Sequence, residues 1–277
     1  MRSVTLPDGT DVPRLGLGTW RMGEKAKQRA GEVKALQAGL DLGLSLLDTA
    51  EMYGEGGAEE VVGDAIAGRR DRVFVVSKIY PHNATAKGVP AACERSLKRL
   101  RTDRIDLYLL HWRGNARLEE TVDAFETLRR EGKIRRWGVS NFDADDMQEL
   151  TAVAGGEHCQ TNQILYNLEE RGPEWSLLPW QRERGMPIMA YSPLGQGALL
   201  DRKELVRLAQ ARSVSPAAVA LAWAMHRSDV IAIPKAAHLD HLRENAKAAD
   251  LVLADEELAL LERAFPPPSG PSRLNMI

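Results

Sequence analysis

Cysteine is scarce in this chain. Two residues in 277, Cys93 and Cys159, cannot build a disulfide framework, and Cys93 falls inside a helical pattern where a buried free thiol is the default. Long apolar runs are missing too. The longest, Ala217 to Met225, spans nine residues, well short of the ~20 that cross a bilayer. Ser215-Pro216 ahead of it supplies an N-cap and a first-turn proline, so the run reads as a buried helix. Neither sign of charge dominates: 37 basic and 39 acidic residues leave a net charge of −2. That balance argues against nucleic-acid or membrane-surface binding driven by a basic field. The cluster from Arg129-Arg130 to Arg135-Arg136 spans a helix end, where cations complement the macrodipole. The opening Met1-Arg-Ser-Val-Thr-Leu-Pro7 has no apolar signal core, so the expectation is a soluble cytoplasmic protein. The histidines (His82, His111, His158, His226, His238, His241) show neither H-x-H nor H-E-x-x-H spacing, and no metal site is expected.

What is present is a rhythm. Pro7-Asp-Gly9 between Val4–Leu6 and Asp11–Pro13 predicts a short N-terminal β-hairpin. Short β-prone runs then recur at 15–18, 45–48, 73–78, 105–111, 137–141, 160–166, 187–193 and 230–234. Helical patterns separate them, near 28–43, 57–68, 85–101, 118–131, 142–153, 173–185, 202–212 and 215–226, and further helices near 238–249 and 255–265 close the chain. Near-continuous apolar strands alternating with helices imply a parallel sheet covered by helices. A count of eight predicts closure into a (β/α)8 TIM barrel rather than an open doubly wound sheet. No linker divides the chain, so residues 1–277 read as one barrel domain with extra C-terminal helices. Pro266-Pro-Pro-Ser-Gly-Pro271 reads as a tail or flap.

Three polar residues close apolar runs: Asp48 after Leu46-Leu47, Lys78 after Val73 to Ser77, and His111 after Ile105 to Leu110. Tyr53 follows Asp48 by five positions. In a parallel barrel all four meet at the C-terminal mouth, where active sites are built. A free phenol has a pKa of about 10, too high for efficient proton transfer near neutrality. A neighbouring ammonium favours the phenolate, so Lys78 is expected to lower that value while Asp48 holds Lys78 charged. His111 offers a ring N–H to a substrate oxygen. Singly, each residue has a bland reading as a cap, a surface pair or a structural ring. Together they make a site that polarises a carbonyl and gives it a proton.

These residues resemble the aldo-keto reductases. The likeness runs from Gly16-Leu-Gly-Thr-Trp20 through Asp48-Thr-Ala-Glu-Met-Tyr53, Val76-Ser-Lys78 and Leu107-Tyr-Leu-Leu-His-Trp112. It continues through Gly132 to Asn141, Thr161-Asn-Gln163, Ala190-Tyr-Ser-Pro-Leu-Gly195 and Ile233-Pro-Lys235, nearly the whole chain at family spacing. The resemblance implies a (β/α)8 barrel, the tetrad Asp48, Tyr53, Lys78 and His111, and NADPH as cofactor. No G-x-G-x-x-G opens a helix after a strand: Gly16-Leu-Gly18 leads to Arg21, and Gly54-Glu-Gly-Gly57 reads as a turn. The resemblance supplies another cofactor site. It places Ser140, Asn141 and Gln163 on the nicotinamide carboxamide, a group whose donors and acceptors suit amides and a hydroxyl. It stacks Tyr191 on the ring and lays Ser192, Leu194, Gly195, Gln196 and Gly197 over the pyrophosphate. Gly18, Thr19, Trp20 and Asp48 complete the near wall.

Lys235 begins a segment resembling the adenosine 2′-phosphate pocket, and Glu244 and Asn245 match adenine contacts. Here the chain departs from the commonest pattern. The position after the lysine, often serine, is Ala236, and the usual arginine is His241. Arginine grips phosphate bidentately and is always charged, whereas histidine is partly charged at pH 7. NADPH is expected with weakened discrimination against NADH.

Trp20, Met52, Tyr80, His111 and Trp112 are expected to surround the substrate, an apolar setting for aldehydes and small ketones. Arg113 and Arg117 could attract an acidic substrate, though solvated loop cations are the default. Gly57-Ala-Glu-Glu60 and Leu177-Leu-Pro-Trp180 look most like bacterial reductases of methylglyoxal and related aldehydes. The expected partner is a small carbonyl compound and the expected state a monomer. Alternatives are a reductase of keto-sugars or keto-acids, and a nucleotide-sensing protein of the same fold with slow turnover.

Overall fold

The structure is a computed structural model and describes residues 2–277. Two short strands, β1 (Ser3–Thr5) and β2 (Asp11–Pro13), form the antiparallel hairpin, with Val4 opposite Val12. Eight strands follow: β3 (Leu17–Gly18), β4 (Leu46–Asp48), β5 (Phe74–Ile79), β6 (Leu107–Leu110), β7 (Trp137–Ser140), β8 (Asn162–Leu165), β9 (Ile188–Tyr191) and β10 (Val230–Ala232). Each pairs in parallel with its sequence neighbour. Parallel bridges from Leu15 to Ala232 and from Gly18 to Lys235 join the first strand to the last and close the barrel. The Gly16 N–H donates to Ala232 O at 2.9 Å across that seam.

Strand alternation sorts the apolar residues into two cores. Leu46, Val76, Leu107, Leu109, Met189, Ile231 and Ile233 fill the barrel. Leu6 and Val12 of the hairpin join them and plug the end where the strands begin. Asp8 fixes the plug through an ion pair to Arg136 at 2.6 Å. Outward residues such as Val75, Ile79, Tyr108 and Leu110 meet the helices.

The helices are α1 (Ala26–Asp41), α2 (Gly57–Ala65), α3 (Gly88–Leu100), α4 (Leu118–Arg130), α5 (Ala144–Ala152), α6 (Leu177–Arg182), α7 (Lys203–Ala211), α8 (Pro216–Ala224), α9 (Leu239–Lys247) and α10 (Asp255–Ala264). In α4 the buried residues Leu118, Val122, Phe125 and Leu128 recur at three- and four-residue intervals, the stripe a barrel-facing helix requires. Helix α8 is buried from Ala218 through Ala224, as its unbroken apolar run demands. The helix expected at 173–185 shrinks to α6: Pro173 confines its start to one 3-10 turn, and Gly185 (φ 61°) lies in the turn beyond its end.

Candidate active site

Asp48 closes β4, Lys78 lies near the end of β5, and His111 follows β6 directly. Lys78 points into the barrel because Val76, two residues earlier on the strand, does so. The Lys78 ammonium donates to Asp48 Oδ2 at 2.8 Å, to Thr49 O at 2.9 Å and to Tyr53 Oη at 3.3 Å. It also sits 4.8 Å from the Tyr53 ring centroid. The rings of Tyr53 and His111 meet edge to face at 5.7 Å. Gln163 Nε2 donates to Asp48 Oδ1 at 2.8 Å, so both carboxylate oxygens are held. Thr19 braces the base of the group: its N–H and hydroxyl both donate to Asp48 O, at 3.0 and 2.9 Å.

Burial sets the protonation states. It raises the Tyr53 pKa, and the opposing pull of the Lys78 charge does not cancel it. This corrects the expectation that Lys78 brings the phenol below its ordinary value: the phenol is held neutral. Burial also opposes charge on Lys78, but Asp48 and Tyr53 outweigh it and leave that pKa raised. The His111 imidazole is pushed well below its ordinary value, first by burial and then by the Lys78 charge, and is neutral. Its Nδ1 is buried without a hydrogen-bond partner among the described residues. The mouth thus holds one compensated ion pair and two neutral rings.

A cleft of about 910 Å³ opens from this group along the strand ends. Its wall includes Trp20, Met52, Tyr53, His111 and Trp112, together with Lys235, Ala236, His241, Glu244 and Asn245. Gly18, Asp48, Ser140, Asn141, Gln163, Tyr191, Ser192, Leu194, Gln196 and Gly197 line it too. Lys78, Thr19 and Gly195 are not on the wall; the first two act from beneath it. Tyr80 is the substrate-wall residue that the structure moves elsewhere. Its ring stacks on His82 at 4.8 Å and meets Trp112 edge-on at 6.0 Å, so it backs the wall. Arg113 is spent bracing its own loop, through Gly114 O, Ala116 O and Glu149.

The strand-end amides are already organised. Asn141 donates to His111 O and to Ser140 Oγ, both at 3.1 Å, and accepts from the Tyr191 hydroxyl at 2.9 Å. The Ser140 hydroxyl donates to Gln163 O at 2.8 Å. Among the described residues seven non-glycine residues have positive φ, and four of them, Arg21, Asn141, Ser192 and Gln196, line this cleft. Such backbone strain clusters where geometry serves function.

Sequence reasoning did not place Arg21, Leu200, Ser215 to Ala217, Met276 or Ile277 on the wall, yet all line it. Ser215-Pro216 was visible as a helix start but carried no hint of what it faces. The last two residues come from the tail, which Asn275 ties to Glu170 at 2.8 Å. Among the described residues no cluster of three or more potential metal ligands occurs, and no helix is long and apolar enough to cross a membrane.

Residues 14–265 match the model of the Aldo/keto reductase family. The chain is 52% identical over 281 aligned residues to methylglyoxal reductase YeaE of Escherichia coli, covering 100% of this chain and 99% of that protein. Glyoxal reductase of Bacillus subtilis is 34% identical over 92% of this chain and 90% of its own length. Among solved structures, an aldo/keto reductase from Klebsiella pneumoniae in complex with NADP and acetate matches at 53% identity, with a TM-score of 0.97 over 99% of both chains.

Proposed function

The chain belongs to the aldo/keto reductase family, and on that premise we propose that it is an NADPH-dependent reductase of aldehydes and small ketones in which Tyr53 donates the proton. The observation that carries this reading is the neutral Tyr53 phenol, 3.3 Å from the buried Lys78 ammonium and open to the cleft.

The residues present fit a dinucleotide. One cleft of about 910 Å³ is lined by Asp48, Tyr53 and His111, by the strand-end amides and hydroxyls, and by Lys235 and His241, and its size falls within the usual range for small-molecule sites. Ser140, Asn141 and Gln163 would hold the nicotinamide carboxamide, Tyr191 its ring, and Lys235 with His241 the 2′-phosphate. When bound, NADPH supplies hydride to the carbonyl carbon. The chain's own residues do the rest. Trp20, Met52 and Trp112 exclude water and present an apolar wall. Among the described residues Nδ1 of His111 has no acceptor to donate to, so the single N–H of the neutral ring belongs on Nε2, as a donor for the carbonyl oxygen. Tyr53 gives its proton to the same oxygen. The Lys78 charge, held by Asp48, stabilises the phenolate left behind.

For the substrate, the YeaE and glyoxal reductase likenesses and the small apolar wall support methylglyoxal and related 2-oxoaldehydes. A monomeric state and a cytoplasmic location belong to the same proposal. Tyr53→Phe tests the reading. It is expected to abolish methylglyoxal reduction while NADPH still quenches tryptophan fluorescence on binding. Substantial residual reduction would remove Tyr53 from its role, and cofactor binding without turnover in the unmodified protein would point to sensing instead.

A further inference from the structure

Behind the barrel wall, outside the cleft, a fully buried carboxylate pairs with a half-buried arginine, and the mechanism does not use them. Glu59 of α2 is fully buried. The Ser77 hydroxyl donates to its Oε1 at 2.5 Å, and Arg99 Nε of α3 donates to its Oε2 at 2.6 Å. Arg99 also reaches Ser96 Oγ at 3.4 Å. A buried carboxylate is costly unless paired and hydrogen-bonded. Apolar groups of the same volume often serve as well in such a place, so the Glu59 carboxylate calls for an explanation.

Its position supplies one. Ser77 immediately precedes Lys78 on β5. Successive side chains of a strand point to opposite faces, so the hydroxyl holds from outside the strand that carries the ammonium inside. Arg99 meanwhile packs under the turn carrying Tyr53. A Cβ on Gly56 would come within 2.5 Å of Arg99 Cδ and Nε, and Gly56 has φ 92°. Gly54 and Glu55 also have positive φ, so the whole turn after Tyr53 departs from ordinary backbone. One network therefore grips the Lys78 strand at one end and supports the Tyr53 turn at the other. We infer that Ser77, Glu59 and Arg99 are positioning residues that set the separation of the Lys78 ammonium and the Tyr53 hydroxyl. The inference rests on the assignment of Tyr53 as proton donor.

Ser77→Ala severs the link to β5 and leaves the Glu59–Arg99 pair in place. It is expected to lower kcat for methylglyoxal about tenfold, less than the ~10²-fold that a 1 Å misplacement can cost, with KM and NADPH affinity unchanged. The alkaline limb of kcat should move to higher pH, because a more distant ammonium lowers the phenol pKa less. Ser77→Thr keeps the hydroxyl and should recover most of the loss. Glu59→Gln, which leaves Arg99 without its carboxylate, should lower kcat in the same way. Wild-type kcat per folded molecule in Ser77→Ala would overturn the inference. So would a loss that Ser77→Thr does not recover, or one that follows only the folded fraction with an unmoved pH profile. Tyr53→Phe, assayed alongside, separates the two failures. If it stays active, the donor assignment falls; if it is dead while Ser77→Ala is normal, only the positioning role falls.

Discussion

Replacing Lys78 by methionine takes the ammonium out of a site with 0% exposure and leaves a near-isosteric apolar chain. Asp48 keeps its Gln163 contact at 2.8 Å but loses its cation, and Thr49 O and Tyr53 Oη lose their donor. Breaking a buried pair by removing one partner costs about 3–5 kcal/mol, a large share of the roughly 5–15 kcal/mol that holds a domain folded. At roughly 2–4 °C per kcal/mol, Tm should fall by about 6–20 °C. Removing both charges is a different matter. Asp48→Asn/Lys78→Met is expected to return to within about 1 kcal/mol of wild type, since a buried pair often does no better than apolar or neutral groups of the same shape. Neither variant should reduce methylglyoxal at a measurable rate. Chemical denaturation of the two single variants and the double gives the coupling directly. The pH dependence carries a sign as well. The Lys78 pKa is raised in the folded state, so its contribution is complete below the unfolded value of about 10.4 and is lost as pH rises through the folded one. The gap between wild type and Lys78→Met should therefore close only at strongly alkaline pH. A double variant as unstable as Lys78→Met would refute the reasoning, because the pair would then be holding the fold and not only the chemistry.

Two further outcomes follow from the site's histidines. His111 has its pKa depressed by burial and by Lys78, so below the unfolded value of about 6.5 the unfolded chain binds a proton that the folded one refuses. Stability should fall as pH drops through this window, and His111→Asn should flatten that slope; parallel curves between wild type and variant would contradict it. His241→Arg puts a bidentate, permanently charged group beside Lys235 at the cleft wall. A charge-assisted hydrogen bond worth about 1.5–3 kcal/mol predicts at least a tenfold rise in the NADPH-over-NADH ratio of kcat/KM. A wild type that already rejects NADH strongly, with a ratio the substitution leaves unchanged, would rule out the weakened-discrimination argument.

The barrel was legible because its strands are apolar on both faces, and only a sheet covered by helices and filled inside calls for that pattern. Asp48, Lys78 and His111 were legible for the same reason: polar residues closing apolar runs stand out, and topology brings them together. The second half of the cleft was legible only by resemblance, since Ser140, Asn141 and Gln163 carry no spacing that distinguishes a cofactor site from strand-end caps. Tyr80 was misplaced because a ring two residues beyond Lys78 can face either side of the wall; its neighbour His82 and the distant Trp112 decide it, and the Trp112 contact is not written in local sequence. Met276 and Ile277 reach the cleft only because the tail turns back along the loop of Glu170. Contacts spanning a hundred positions leave no local trace.

The sign of the Tyr53 shift alters how the site must act. Composition alone pairs a phenol with an ammonium and leads one to expect an acidified tyrosine. Distance and burial give another result: at 3.3 Å inside a low-dielectric mouth, desolvation opposes the phenolate more than Lys78 favours it. A proton donor gains from that order of strengths. In the proposed role Tyr53 arrives neutral, as donation to an alkoxide requires, and the Lys78 charge would act once the proton has left. The same ammonium helps keep His111 neutral, so the imidazole offers a hydrogen bond without adding a second cation beside Lys78. Asp48 keeps this ammonium charged in a place shielded from bulk solvent. One fully buried cation thereby governs both rings, which is why its strand is the part of the barrel where a lost outer hydrogen bond should be felt in kcat.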